Sequence, residues 1–239
     1  MTKAKLAAVV GCPVGHSLSP AIHNTWARRE GANAFYIPVE TGEDYDAFAR
    51  AINALTTLGF SGCNVTIPHK ESALQYAVRA TGRAQRAGAA NMLTFGEEGA
   101  YADNSDVEGF IRAAETVLTS AAPKGRAVVL GAGGAARGVV LALKEMRYAE
   151  IIIANRTHER AQALAADLGD VTVAVWKDRS AALEGADLLV NATALGMSGA
   201  PALDIDIDPL PKTAVVADIV YSPLQTPLLR TAGARGLKI

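Results

Sequence analysis

The chain has 239 residues, of which 50% are hydrophobic and 20% charged, values typical of a soluble globular protein with one large or two small domains. A formal net charge of −1 without any basic run excludes the electrostatic footprint of a protein that binds nucleic acid or an anionic membrane. No apolar stretch approaches a membrane span, the N-terminal segment is too short and polar for a signal peptide, and only two cysteines occur, so we expect a cytoplasmic protein.

Strands and helices alternate along the first half of the sequence. The hydrophobic periodicity predicts strands at 6–10, 35–39 and 62–67, and helices at 20–29, 45–58 and 68–78. Ser19 is the expected N-cap of the first helix, and Pro68 the expected first residue of the third. A hairpin is predicted at 91–102 around a Gly-Glu-Glu-Gly turn, followed by a helix at 107–118.

The second half continues the same alternation. A strand, a glycine-rich turn and a helix start occupy 127–137, and a second strand begins at 151. Further strands are predicted at 171–176, 188–191 and 215–219, a last helix at 226–234, and an exposed proline-rich loop at 199–211. This pattern predicts α/β architecture: two α/β domains with a cleft between them, a substrate-binding domain at 1–105 and a Rossmann-type dinucleotide domain at 106–229.

The glycine-rich turn carries a G-x-G-x-x-A pattern. Gly131 allows a tight turn, Gly133 allows a pyrophosphate to approach the backbone, and Ala136 allows the helix to pack closely on the strand. The N-terminus of that helix offers backbone N–H groups and a positive dipole end to a phosphate. Such a pattern alone is weak evidence, but the strand–turn–helix–strand context predicts a dinucleotide site here.

The end of the second strand indicates which dinucleotide is bound. An NAD site usually carries Asp or Glu there, whereas this chain has Asn155, Arg156 and Thr157, with Arg160 close behind. An acidic side chain would repel a 2′-phosphate, and a guanidinium group binds it through charge-assisted hydrogen bonds. We therefore predict NADP as the cofactor, although Arg156 taken alone could be a solvated loop arginine.

Three segments are unusually polar for the ends of helices and strands: GHSLSP at 15–20, NVTIPHK at 64–70 and DNSD at 103–106. In open α/β sheets ligands bind beyond the carboxyl ends of strands, where the first two segments are expected. Their hydroxyl and amide groups suit a polyhydroxylated substrate. Lys70 with Asp106 could bind and protonate an oxygen while hydride moves to its carbon.

Each of these residues also has a purely structural interpretation. Ser17 and Ser19 could cap a helix, and Thr66 could be an ordinary β-branched strand residue. Lys70 could be a solvated lysine and Asp106 a plain N-cap. A lysine in a first helical turn is mildly unfavourable against the helix dipole, which suggests another reason for its presence. The histidines lack metal-ligand spacing with the cysteines, so we predict no metal.

Taken together, the motifs resemble the shikimate dehydrogenase family in order and spacing from residue 11 to residue 229. They are HSLSP, NVTIPHK, AAN, NSD followed by GF, GAGGAARG, NRTHER, NATALGM and DIVYSPLQTPLL. The resemblance implies NADP-linked, reversible reduction of 3-dehydroshikimate to shikimate in aromatic amino-acid biosynthesis. It also implies a monomer or homodimer that binds neither nucleic acid nor membrane.

The resemblance also implies roles for particular residues. The catalytic pair would be Lys70 and Asp106. The substrate's carboxylate and hydroxyls would be held by Ser17, Ser19, Thr66, Asn91 and Tyr221. The pyrophosphate would be bound by Gly131, Ala132, Gly133, Gly134 and Ala135, the 2′-phosphate end by Asn155, Arg156, Thr157 and Arg160, and the nicotinamide side would be flanked by Ala192, Thr193 and Ile219.

Two departures from the family pattern and two alternative functions stay open at this point. Met92 stands where the family often has Thr, and the family usually continues beyond Ile239 into helices that return to the first domain, a return expected to begin near residue 230 and to be incomplete. The alternatives are a quinate/shikimate dehydrogenase with relaxed cofactor use and a non-catalytic NADP-binding sensor. Arg156 argues against an NAD-linked enzyme, and the presence of Lys70 and Asp106 argues against a sensor.

Overall fold

The computed structural model describes residues 3–118 and 124–239, so Met1 and Thr2 of the N-terminal segment considered above lie outside the described residues. The chain divides into two compact units, Met1–Ser105 and Asp106–Ile239. In the part of the chain that the structure describes, no helix is both long and apolar enough to cross a membrane.

The first unit is built on a six-stranded sheet with the strand order β2-β1-β3-β5-β6-β4. Its strands are β1 Lys5–Gly11, β2 Ala34–Glu40, β3 Gly62–Val65, β4 Arg79–Ala80, β5 Met92–Gly96 and β6 Gly99–Asp103, and its helices are α1 Ser19–Arg29, α2 Tyr45–Thr57, α3 Lys70–Tyr76 and α4 Gly82–Ala87. Neighbouring strands are parallel except at β5, which is antiparallel to β3 and β6.

The main core of this unit lies under α2. Asp44 caps the helix by accepting the Ala47 N–H at 2.7 Å, and the helix then buries Phe48, Ile52 and Leu55 at helical spacing. These side chains pack against alternate residues of the sheet, such as those on β1 and β3. The burial of one sheet face by a regular helix explains why this part of the pattern could be predicted.

The outer edge of β2 is closed to further strand pairing. The Asn24 side chain on α1 accepts the Tyr36 N–H at 2.9 Å and donates to the Tyr36 carbonyl oxygen at 2.8 Å. Pro38, two residues along, has no N–H to offer. Asn24 therefore fixes α1 to the edge strand and holds Tyr36 in place.

The second unit contains a five-stranded, all-parallel sheet with the order β11-β10-β7-β8-β9. Its strands are β7 Arg126–Leu130, β8 Glu150–Asn155, β9 Thr172–Val175, β10 Leu188–Asn191 and β11 Val215–Asp218, and its helices are α5 Asp106–Glu115, α6 Gly134–Glu145, α7 His158–Leu168 and α8 Pro227–Ala234. Successive residues of β7 enter two separate hydrophobic clusters. Burial on both faces explains the continuous apolar runs in the sequence. The fold class is thus confirmed, and the order matches the Rossmann arrangement.

Several boundaries differ from the prediction for local reasons. The N-cap of α1 is Leu18, not Ser19, which is the first helical residue and whose N–H donates to Ser17 Oγ at 3.3 Å. The helix expected to begin at Pro68 begins at Lys70, because the His69 N–H turns back to the Thr66 carbonyl oxygen at 3.0 Å. α5 ends at Glu115, and β4 and α4 were not predicted because each is very short.

Two tertiary differences concern the second unit. The 199–211 stretch has no regular structure but is not simply exposed, because Leu203, Ile207 and Leu210 are buried in the cluster on one sheet face. The sequence predicted that the chain begins to return to the first domain near residue 230, but residues 230–239 belong to the second unit. Leu237 is buried in the same cluster, and the Val216 N–H donates to the Lys238 carbonyl oxygen at 2.9 Å.

Candidate active site

The residues predicted to bind the cofactor all lie at the carboxyl edge of the second sheet. Gly131, Ala132 and Gly133 connect β7 to α6, and Gly134 and Ala135 are the first residues of that helix. The others lie at or after the ends of β8, β10 and β11: Asn155, Arg156, Thr157 and Arg160, then Ala192 and Thr193, then Ile219. Tyr221, which was predicted to bind the substrate, also follows β11. The strand order reverses between β7 and β10, and ligands bind at such switch points.

The two glycines of the turn meet different constraints. Gly131 has φ +115°, and a Cβ there would lie 2.9 Å from the Ala192 carbonyl oxygen, so only glycine fits. Gly133 has φ −95°, and a Cβ there would meet no atom within 4 Å. Gly133 also precedes α6 without supplying a side-chain cap. The turn therefore leaves open space beside a helix N-terminus, as a dinucleotide pyrophosphate requires.

The end of β8 presents cations to solvent. Arg156, Thr157 and Arg160 are exposed, and the Asn155 side-chain amide donates to the Thr157 carbonyl oxygen at 2.7 Å. That bond shapes the turn into α7, whose N-cap is Thr157. Residues 155–158 include no Asp or Glu, so this turn has no carboxylate that would repel a 2′-phosphate.

A partly buried polar network, which was not predicted from the sequence, links the loops that follow β10 and β11. The Asp218 carboxylate accepts hydrogen bonds from the Thr226 hydroxyl at 2.7 Å, the Asn191 amide at 3.0 Å and the Val220 N–H at 3.0 Å. Asn191 Oδ1 in turn accepts the Thr193 hydroxyl at 2.7 Å. Burial raises the pKa of Asp218, and these hydrogen bonds oppose the increase.

Four of the five predicted substrate residues belong to the first unit, where they lie at one edge of the sheet. Ser17 and Ser19 follow β1, and Thr66 directly follows β3. Asn91 precedes β5, which is antiparallel, so its carbonyl oxygen accepts the Val65 N–H at 2.9 Å. These side chains therefore lie where parallel strands end, the usual place for a ligand in an α/β unit.

Lys70 belongs to the same region. It is the first residue of α3 and is partly buried, and its carbonyl oxygen accepts the Ala90 N–H at 2.8 Å. Asn91, which follows Ala90 in the chain, pairs with Ser105, whose N–H donates to Asn91 Oδ1 at 2.9 Å. Asp106, the first residue of α5, begins the second unit.

Tyr36 and Asn64 also belong to this region, although the prediction assigned them no role. The Tyr36 hydroxyl donates to Asn64 Oδ1 at 2.7 Å, and the Asn64 amide donates to the Asn91 carbonyl oxygen at 3.3 Å. The presence of Asn64 in the NVTIPHK segment was the only signal for this contact in the sequence. Within residues 3–118 and 124–239, no group of three or more His, Cys, Asp and Glu side chains could hold a metal ion.

The sequence matches two protein-family models. Residues 9–93 match the shikimate dehydrogenase substrate-binding domain, and residues 112–198 match the shikimate/quinate 5-dehydrogenase family. A shikimate dehydrogenase (NADP(+)) of Dinoroseobacter shibae is 47% identical over 238 residues, which cover 98% of this chain and 84% of that protein. The chain belongs to the shikimate dehydrogenase family.

Solved structures of the family agree with this assignment. A shikimate 5-dehydrogenase of Thermus thermophilus, solved with NADP(H) and shikimate, is 36% identical with a TM-score of 0.83, over 98% of this chain and 85% of that one. A quinate dehydrogenase of Corynebacterium glutamicum, solved with NAD, is 29% identical with a TM-score of 0.87, over 98% and 86%. The shared fold therefore accommodates either dinucleotide, and the choice between them depends on individual residues.

Proposed function

We propose that this protein catalyses the NADP-linked, reversible reduction of 3-dehydroshikimate to shikimate, a step of aromatic amino-acid biosynthesis. The observation that carries the proposal is the 47% identity to a shikimate dehydrogenase (NADP(+)) over nearly the whole chain. The carboxyl edges of the two sheets supply groups of the required chemistry, a cradle for a dinucleotide in one unit and a set of hydroxyls, amides and an ammonium group in the other.

The residues present fit an NADP molecule. Gly131 allows the tight turn, Gly133 leaves room for a pyrophosphate beside the N-terminus of α6, and Arg156 with Arg160 presents guanidinium groups for a 2′-phosphate. Ala192, Thr193 and Ile219 would flank the nicotinamide. When bound, NADPH supplies the hydride for the reduction.

The remaining roles belong to the chain's own side chains. Ser17, Ser19, Thr66, Asn91 and Tyr221 would hold the substrate's carboxylate and hydroxyls. We assign to Lys70 and Asp106 the handling of the proton at the substrate's reacting oxygen, in which the lysine ammonium donates the proton in reduction and recovers it in oxidation.

In an NAD-linked quinate dehydrogenase, we would expect an acidic residue at the end of β8, because a carboxylate accepts a hydrogen bond from a ribose 2′-hydroxyl and repels a 2′-phosphate. This chain has Arg156 there instead. The cytoplasmic location and the monomeric or homodimeric state stay predictions from the sequence.

One spectrophotometric experiment tests the proposal. Purified protein is assayed at about 340 nm, the absorption of the reduced nicotinamide, with shikimate or quinate and with NADP or NAD. We expect turnover with shikimate and NADP, and a much lower kcat/KM with NAD. Preference for quinate with NAD would replace the proposal, and NADP binding without turnover of either substrate would favour the sensor.

A further inference from the structure

Tyr36 is held more firmly than a strand residue requires. Its side chain lies within a buried cluster, its backbone N–H and carbonyl are both bonded by Asn24, and its ring stacks on His23 with centroids 4.3 Å apart and planes 6° apart. Only the hydroxyl remains to make specific polar contacts. Burial raises the pKa of Tyr36 well above its usual value, so the phenol stays protonated and can donate.

That hydroxyl begins a hydrogen-bond chain. It donates to Asn64 Oδ1 at 2.7 Å. The chain continues from the Asn64 amide to the Asn91 carbonyl oxygen at 3.3 Å, and the Asn91 amide donates to Ser105 Oγ at 3.0 Å. Asn91, one of the predicted substrate residues, is thus connected to Tyr36 through Asn64.

The hydrogen bond from Tyr36 fixes the orientation of the Asn64 amide. Because Asn64 Oδ1 accepts from the Tyr36 hydroxyl, the Asn64 amide nitrogen is the atom that faces the Asn91 carbonyl oxygen. Without the Tyr36 hydroxyl, Asn64 Oδ1 would lose a donor and the orientation of the amide would no longer be fixed.

We propose that Tyr36 is a positioning residue for substrate binding, acting through the Asn64–Asn91 contact. This inference rests on the proposed function, because it takes Asn91 to be a substrate ligand. Side chains that are oriented before a ligand arrives lose less entropy on binding, so the hydroxyl of Tyr36 lowers the KM for shikimate without touching the cofactor site.

The first unit offers a matched control. The Tyr76 hydroxyl donates to Asn53 Oδ1 at 2.6 Å, between α3 and α2, which is the same pair of groups at nearly the same distance. Tyr76→Phe removes a Tyr–Asn hydrogen bond that is not part of the hydrogen-bond chain from Tyr36 to Ser105. Tyr36→Phe removes the equivalent oxygen within that chain and keeps the ring that stacks on His23.

The test measures kcat, the KM for shikimate, the KM for NADP and the Tm for wild type and both variants. We expect Tyr36→Phe to raise the KM for shikimate about tenfold, the effect of losing one well-placed hydrogen bond, with an unchanged KM for NADP. Tyr76→Phe is expected to leave both KM values at the wild-type level. Equal KM values for the two variants, or a Tyr36→Phe variant that changes both KM values together with its Tm, would overturn the proposal.

A double-variant cycle tests the route through Asn64. If Tyr36 acts by orienting Asn64, Tyr36→Phe should raise the KM for shikimate by a smaller factor in an Asn64→Ala background than in wild type. The same factor in both backgrounds would refute that route. Failure of the proposed function is a separate result, because it would show as wild-type protein that does not oxidise shikimate at all.

Discussion

We expect the choice between NADP and NAD to depend on Arg156. It is exposed at the end of β8 and has the charge and shape to bind a phosphate. Losing a charge-assisted hydrogen bond costs about 1.5–3 kcal/mol, so Arg156→Ala should weaken NADP binding by roughly 10- to 100-fold and leave NAD binding unchanged. Titration with each dinucleotide measures both effects. Arg147→Ala, which removes an equal charge at the amino end of β8, is the control, and equal losses for NADP and NAD would contradict the assignment.

Lys70 is the residue on which the chemical step depends in the proposed mechanism. An oriented acid/base group contributes about 100-fold or more, so Lys70→Ala should lower kcat by at least that factor while the fold persists. Asp106→Asn should also lower kcat. Lys5→Ala is the control, because it removes an exposed lysine at the amino end of β1, and it should leave kcat unchanged. A Lys70→Ala enzyme with near-normal kcat and a raised KM would make the lysine a binding residue only.

At the scale of elements, the turn between β7 and α6 contains two glycines with different constraints, and we expect only Gly133 to face the cofactor. Gly131→Ala forces a side chain to adopt φ +115° against the Ala192 carbonyl oxygen, a strain of about 1–2 kcal/mol before the contact is counted, so the Tm should fall. Gly133→Ala places its Cβ in open space at an ordinary φ, so the Tm should hold while NADP binding weakens. Calorimetry and NADP titration compare the two. A lower Tm for Gly133→Ala with unchanged binding would contradict this interpretation.

The Asp218 network joins the ends of β10 and β11 to the start of α8, and it should make stability depend on pH. Burial raises the folded-state pKa of Asp218, so its contribution is most favourable when the carboxyl is protonated and is lost as the pH rises through that pKa. Asp218→Asn keeps the contacts of Oδ1 and cannot ionise. Because only wild type loses this contribution, we expect the Tm of the variant minus the Tm of wild type to become more positive between about pH 4 and pH 7. A difference that stays constant with pH would show that the carboxyl does not titrate in this range.

At the scale of the whole molecule, each unit has a hydrophobic core of its own. A fragment of residues 106–239 should therefore unfold cooperatively and bind NADP, but should not oxidise shikimate. Phe110, Ile111 and Ala114 on α5 pack against the cluster that includes α6. A fragment of residues 124–239 should consequently melt at a lower temperature. Calorimetry tests both, and a 106–239 fragment that shows no cooperative transition would contradict the independence of this unit.

Periodic and local features of this protein were determined by its sequence alone. The α2 stripe, the β5–β6 hairpin and the continuous apolar runs of β7 and β8 were predicted correctly because their burial imposes a repeat on nearby residues. The glycine pattern and Arg156 indicated the dinucleotide site for the same reason, since a turn and a strand end are local. The family assignment was confirmed by the relatives.

Contacts between residues distant along the chain were decided only by the tertiary structure. Tyr36 and Asn64 are 28 residues apart, and Asn191 and Asp218 are 27 apart, so no spacing rule links them. Leu203, Ile207 and Leu210 are buried although their segment has no period, because a neighbouring sheet face needs covering. The observed N-termini of α1 and α3 differ from the predicted ones because the Ser19 N–H bonds to Ser17 Oγ and the His69 N–H bonds to the Thr66 carbonyl oxygen. A hydrogen bond or a buried contact depends on distance in space, which a single sequence does not contain.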